Sequence, residues 1–119
     1  MNSLRLVFSV DELDSVLDEA ISLYPIKMLK FAEACAKHVG HLDNDCASFA
    51  ASSVIKAGLS ASQLCRWALR NPSNASETYT NMRKNIRRAV RYARAAISDT
   101  STEEKWQVQE FNACIRPFL

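Results

Sequence analysis

The residue types best suited to chemistry in this chain are its cysteines and histidines. Cys35-x-x-His38-x-x-His41-x-x-x-x-Cys46 combines thiolate and imidazole, the ligand types that zinc takes. Residues 35 and 38 share a helical face. Cys35, however, falls on an apolar stripe, and on a regular helix His41 is rotated well away from it. The reading expected from this phase is two core cysteines and two histidines near a helix C-terminus, where the dipole favours them. No metal and no cofactor are expected. Asp14 and Asp18 stand one turn apart, as paired carboxylates would, but on an acid-rich face that reads as solvated. There is no G-x-S-x-G or H-E-x-x-H, and two glycines in the whole chain exclude a phosphate-cradling glycine loop. An enzyme is not expected.

A second constellation is electrostatic. Arg83, Lys84, Arg87, Arg88, Arg91 and Arg94 lie within twelve residues, while Ile86, Val90 and Ala93 keep one stripe apolar. The cations occupy the remaining arc of a helix. Facing phosphates, such an arc would release counterions and bind in a salt-dependent way. Otherwise it is solvated, or paired with the acids of residues 1–24 (Asp11, Glu12, Asp14, Asp18 and Glu19 against Arg5) in this chain or another. A polarised molecule is expected either way, although the net charge is only +2.

The segment Ala57-Gly58-Leu59-Ser60-Ala61-Ser62-Gln63-Leu64-Cys65-Arg66-Trp67 resembles the turn and recognition helix of helix-turn-helix DNA-binding proteins. Gly58 stands where that family turns, Leu59 follows it, and Leu64 and Trp67 stand where the second helix is anchored. The resemblance implies that Ser62, Gln63 and Arg66 face the major groove, Gln reading adenine and Arg guanine. The preceding helix departs from the pattern, with Val54 where a small residue is wanted and Ser53 where an apolar one is.

Two other stretches resemble alanine-rich helical proteins of bacteria and phages, immunity proteins among them. They are Phe31-Ala-Glu-Ala-Cys35-Ala-Lys-His38-Val with Leu42-Asp43, and Tyr92-Ala-Arg-Ala-Ala-Ile with Glu103-Glu-Lys-Trp106-Gln-Val-Gln-Glu-Phe111. That resemblance implies a helical bundle that works by binding another protein.

The elements that must position these residues are helices. Two glycines and three prolines in 119 residues leave little material for the turns of a sheet. Ser9-x-x-Glu12, Ser60-x-x-Gln63 and Ser101-x-x-Glu104 each read as a capping box. Apolar periodicity predicts a first helix over Val10–Tyr24, then a second opened by Pro25. A third restarts at Asp43–Asp45 and ends at Gly58. A short fourth follows Ser60 and stops before Asn71-Pro72, with Ser73–Ser76 as a loop. A long fifth carries the cations, and a sixth follows Asp99–Ser101 and ends at Pro117.

The fold expected is all-α: a single domain over residues 1–119, an irregular bundle of five to six helices, with residues 1–8 as an N-terminal arm. Its predicted core draws on Leu13, Leu17, Ile21, Leu29, Phe49, Leu64, Trp67, Ile86, Val90, Trp106 and Phe111. Four scattered cysteines without a C-x-x-C pair, and an apolar run at Leu4–Val10 too short for a leader, point to a reducing cytoplasm. The function expected is non-catalytic binding to a macromolecular partner, protein favoured over nucleic acid, of the immunity, inhibitor or anti-defence kind and without a membrane. The alternative is a helix-turn-helix regulator.

Overall fold

Ser9 opens the first helix as its spacing to Glu12 predicts. Its hydroxyl accepts the Glu12 N–H at 3.2 Å, satisfying one of the donors a helix start leaves orphaned. In the computed structural model, which describes residues 4–67, 70 and 72–119, this helix is α1, Val10–Leu23. Pro25 then begins α2, Pro25–His38, at a position where its missing N–H is no loss. Asn44 starts α3, Asp45–Trp67. Its Oδ1 accepts the Ala47 N–H at 2.9 Å, and its Nδ2 donates to the Ala96 carbonyl at 3.0 Å. The remaining helices are α4, Pro72–Ala95, and α5, Thr100–Ile115, with a 3-10 turn over Arg116–Phe118.

Among the described residues the all-helical class and the five helices agree with the expectation, but three boundaries do not. First, α3 runs unbroken through Gly58, so the expected third and fourth helices are one. Gly58 has no left-handed backbone, and Ser60 lies inside the helix rather than capping a new one. The physical reason is the stripe Ala47, Ala50, Ala57 and Ala61, which is buried and stays in phase across the glycine. A mid-helix glycine costs about 1 kcal/mol, less than the packing such a stripe maintains. Second, the segment read as a loop at Ser73–Ser76 is helical, because Pro72 opens α4 instead of ending its predecessor. Third, α5 is capped by Asp99, whose carboxylate accepts the Thr102 N–H, two residues before the expected Ser101.

Helices α3 and α4 form a long antiparallel hairpin, and α2 packs against both. The seam is built from small side chains, Ala50, Ser53 and Ala57 on one helix and Ala89 and Ala93 on the other, which lets the backbones approach closely. Helices α1 and α5 cover the other side of α2. The molecule measures 45 × 35 × 19 Å, and its shortest axis accommodates two helix layers at the usual spacing of about 8–10 Å.

Of the predicted core, Leu13, Leu17, Ile21, Ile86, Val90 and Phe111 are buried, and Leu29, Leu64 and Trp106 pack against the core from its edge. Phe49 is a correction: it is 50% exposed, because its helical phase places it a quarter-turn off the alanine stripe. The Trp67 side chain, and the expected helix stop at Asn71, lie outside the described residues.

Residues 4–8 lie against the bundle. Leu4 and Val7 are inside, and Phe8 is outside. Asn112 of α5 holds the arm with both ends of its amide: Oδ1 accepts the Val7 N–H at 2.9 Å and Nδ2 donates to the Val7 carbonyl at 2.8 Å.

Candidate functional site

The six cations of α4 do not form one arc of equals. Arg94 is 16% exposed and clamps Asp14 of α1 with two parallel bonds of 3.0 and 3.1 Å. Its Nε–H donates to Gln107 Oε1 of α5 at 3.1 Å, and the Gln107 amide donates in turn to the Val90 carbonyl at 3.0 Å. Arg87 pairs with Asp18 of α1 at 2.8 Å. The acids of α1 therefore stand opposite two of the arginines, and Asp14 and Asp18 are structural partners in place of a solvated pair. Arg83 lies over the Tyr79 ring, 6.0 Å from its centroid.

Lys84, Arg88 and Arg91 remain. All three are exposed, and none has a carboxylate within ion-pair distance among the described residues. Their spacing of four and three residues puts them on one outward stripe.

The hairpin that carries this stripe is almost free of negative charge. From Asp45 to Ala95 the sequence holds nine Lys and Arg and two carboxylates, Asp45 and Glu77. Neighbouring α3 has exposed apolar side chains of its own, Ile55 at 65% and Leu59 at 61%, and Ile55 lines a pocket with Glu33, Ala36, Lys37 and Gly40 on the α2 side. Phe49 lies at the seam with α4, its ring 5.3 Å from that of Tyr92. Counting charges in sequence finds the cations. Sequence reasoning does not find the exposed apolar side chains, because it places Leu59 after a turn and Phe49 in the core, and both placements depend on where α3 ends.

No family model, curated protein or solved structure matches the chain. The site is therefore read from its own geometry.

The positions that resemble a DNA-reading helix are not preceded by a turn. Ser62, Gln63 and Arg66 are exposed on the last turns of α3, continuous with the helix that should have crossed before them. The expected turn at Gly58 is thus corrected by the continuity of the helix.

The cysteine–histidine set is also dispersed. Cys35 is fully buried, and burial pushes its thiol well above the ordinary range, with the carboxylates of Glu103 and Glu110 adding to the rise. His38 ends α2, as expected. Its Nδ1 lies 2.7 Å from Glu103 Oε2, and its ring stacks on Trp106 with centroids 3.8 Å apart and planes 2° off parallel. His41 is exposed, and no group of three metal-ligating side chains assembles among the described residues.

Glu103 is completely buried. Burial raises its carboxyl above the usual range, and His38 works against that rise. Its contacts tie α2 to α5, and with the imidazole flat against an indole the pair braces the fold at that joint.

Among the described residues, no helix is long and apolar enough to cross a membrane.

Proposed function

We propose that the protein is a non-catalytic binding protein that engages an acidic macromolecular partner, a protein in preference to a nucleic acid, through the outer face of α4. Its role is of the immunity, inhibitor or anti-defence kind. The observation that carries this reading is the sorting of the cations. Arg87 and Arg94 are satisfied within the chain, whereas Lys84, Arg88 and Arg91 project from a carboxylate-poor hairpin and form no ion pair among the described residues. Solubility alone calls for interspersed charges of both signs, which this face lacks. Half-exposed Phe49, packed on Tyr92 of α4, favours a protein, since phosphate contact uses cations and hydrogen-bond donors.

The test is anisotropy of a labelled polyglutamate peptide and, separately, of an arbitrary-sequence DNA duplex, at low salt and at ~150 mM. The expected result is salt-sensitive peptide binding that disappears in the triple variant Lys84→Glu/Arg88→Glu/Arg91→Glu. Peptide binding that survives the triple variant would refute the surface. Duplex binding much tighter than peptide binding would bring the regulator reading forward.

A further inference from the structure

We infer that the chain self-associates as a weak two-fold dimer through its α2–α3 face, each copy seating the rim of α2 in the groove of the other. None of the residues involved belongs to the α4 stripe, so the dimer stands apart from the contact proposed there.

The groove is a matter of residue size. A depression of about 350 Å³ lies between the last turn of α2 and the first half of α3. Small residues, Ala36 and Gly40, form its α2 wall together with Glu33 and Lys37, and Val54 and Ile55 stand on the α3 wall. A methyl group added at Gly40 would first meet the backbone of Ala36 and Lys37, at 3.4 Å, before any side chain of α3. Ile55 is 65% exposed beside this hollow. An apolar knob next to an apolar hollow is complementary to itself, because a two-fold operation carries each knob to the other hollow.

The charges say what covers the face. Glu33 and Lys37 stand one turn apart on α2, in the order that favours a pair within a helix, yet they form no ion pair with each other. Two α2 helices related by a two-fold axis across them run antiparallel, so residues equally far from Cys35 in number stand opposite one another. An axis at that level places Glu33 of each copy against Lys37 of the other, twice over. It also sets Lys30, exposed on the same rim, against Gly40 of the other copy, where the last carbonyls of α2 attract a cation. Ile55 then covers Ala36 of the other copy and the aliphatic stem of its Lys37.

Other occupants match less of the face. An acidic protein, a nucleic acid and an anionic lipid surface would each oppose Glu33, whereas a second copy answers both signs. The 14 residues of α2 are about 21 Å long, and two helix widths give a footprint of about 400–500 Å² per copy. That is the low end for a specific interface, so the association is weak and reversible.

The test is sedimentation equilibrium of the full chain from about 10 μM to 1 mM, a range that brackets weak association. A monomer–dimer equilibrium is expected. Glu33→Lys and Lys37→Glu each make both pairs repulsive, and each should weaken the dimer by at least about tenfold. An equimolar mixture of these two variants should dimerise again, because both pairs become attractive between unlike chains. The swap Glu33→Lys/Lys37→Glu within one chain should likewise recover the association of the wild type. Ile55→Ser should weaken the wild-type and swapped dimers alike. Circular dichroism of each variant verifies its fold.

A chain that stays monomeric across the whole range would overturn the dimer. A dimer lost on reversing either charge, and restored by neither the mixture nor the swap, would overturn the two-fold pairing. A dimer indifferent to these variants but lost in Lys84→Glu/Arg88→Glu/Arg91→Glu would place self-association on α4 and overturn the face.

Discussion

Glu103 and Cys35 meet at the contact between α2 and α5, and burial changes the protonation of each in a way that can be measured. For Glu103 the folded state holds the proton more tightly than the unfolded chain does, whose value lies near 4.5. A raised folded value contributes stability that is fully present below the unfolded value and is lost as pH rises through the folded one. Subtracting the unfolding free energy of Glu103→Gln from that of the wild type, from pH 4 to pH 8, isolates this contribution. The wild type should compare best at the acid end and lose ground as pH rises. The opposite slope would mean that the bond to His38 outweighs burial. For Cys35, thiolate formation is opposed by its surroundings, so the thiol should be inert in the folded state. Titration with a thiol reagent should modify exposed Cys65 first and reach Cys35 only on unfolding. Early labelling at Cys35 would show that the α2–α5 contact opens readily.

At the scale of elements, α3 decides between two accounts of the chain. If Gly58 made a turn, alanine there would strain it. In the continuous helix Gly58 has ordinary helical backbone, and a methyl group added to it meets nothing within 4 Å. Gly58→Ala should therefore stabilise the protein by about 0.5–1 kcal/mol, read from the midpoint of urea unfolding. A loss of stability would restore the turn. The same helix shows why part of the fold was legible and part was not. Ser9 and Pro25 act within one turn of themselves, so their positions predict the starts of α1 and α2 correctly. Gly58 and Pro72 are ambiguous signals. Each can end a helix or sit within or at the start of one, and the choice rests on contacts with α2 and α4 that no local window contains. The cations were visible as a group, but their division into clamped and free members depends on where α1 lies. Phase within α4 alone separates Lys84, Arg88 and Arg91 from the apolar stripe. Only the placement of Asp14 and Asp18 shows that Arg87 and Arg94 are taken.

For the whole molecule, that division separates stability from binding. Arg94 joins three helices through Asp14 and Gln107 and is largely enclosed, so removing it strands a carboxylate and an amide together. Arg94→Ala should destabilise the fold by about 2–4 kcal/mol. Arg94→Lys should recover only part of that, because an ammonium cannot reproduce the two parallel bonds. Arg87→Ala, at a more exposed pair, should cost about 0.5–1 kcal/mol. Alanine at Lys84, Arg88 or Arg91 should change stability by less than about 0.5 kcal/mol while weakening attachment to an acidic ligand. Unfolding curves for the five alanine variants, set beside their affinities for polyglutamate, should therefore fall into two groups with little overlap. A continuum, in which every lost cation weakens both properties in proportion, would mean that α4 acts through its total charge. The sorting of its side chains by α1 would then have no bearing on what the face binds.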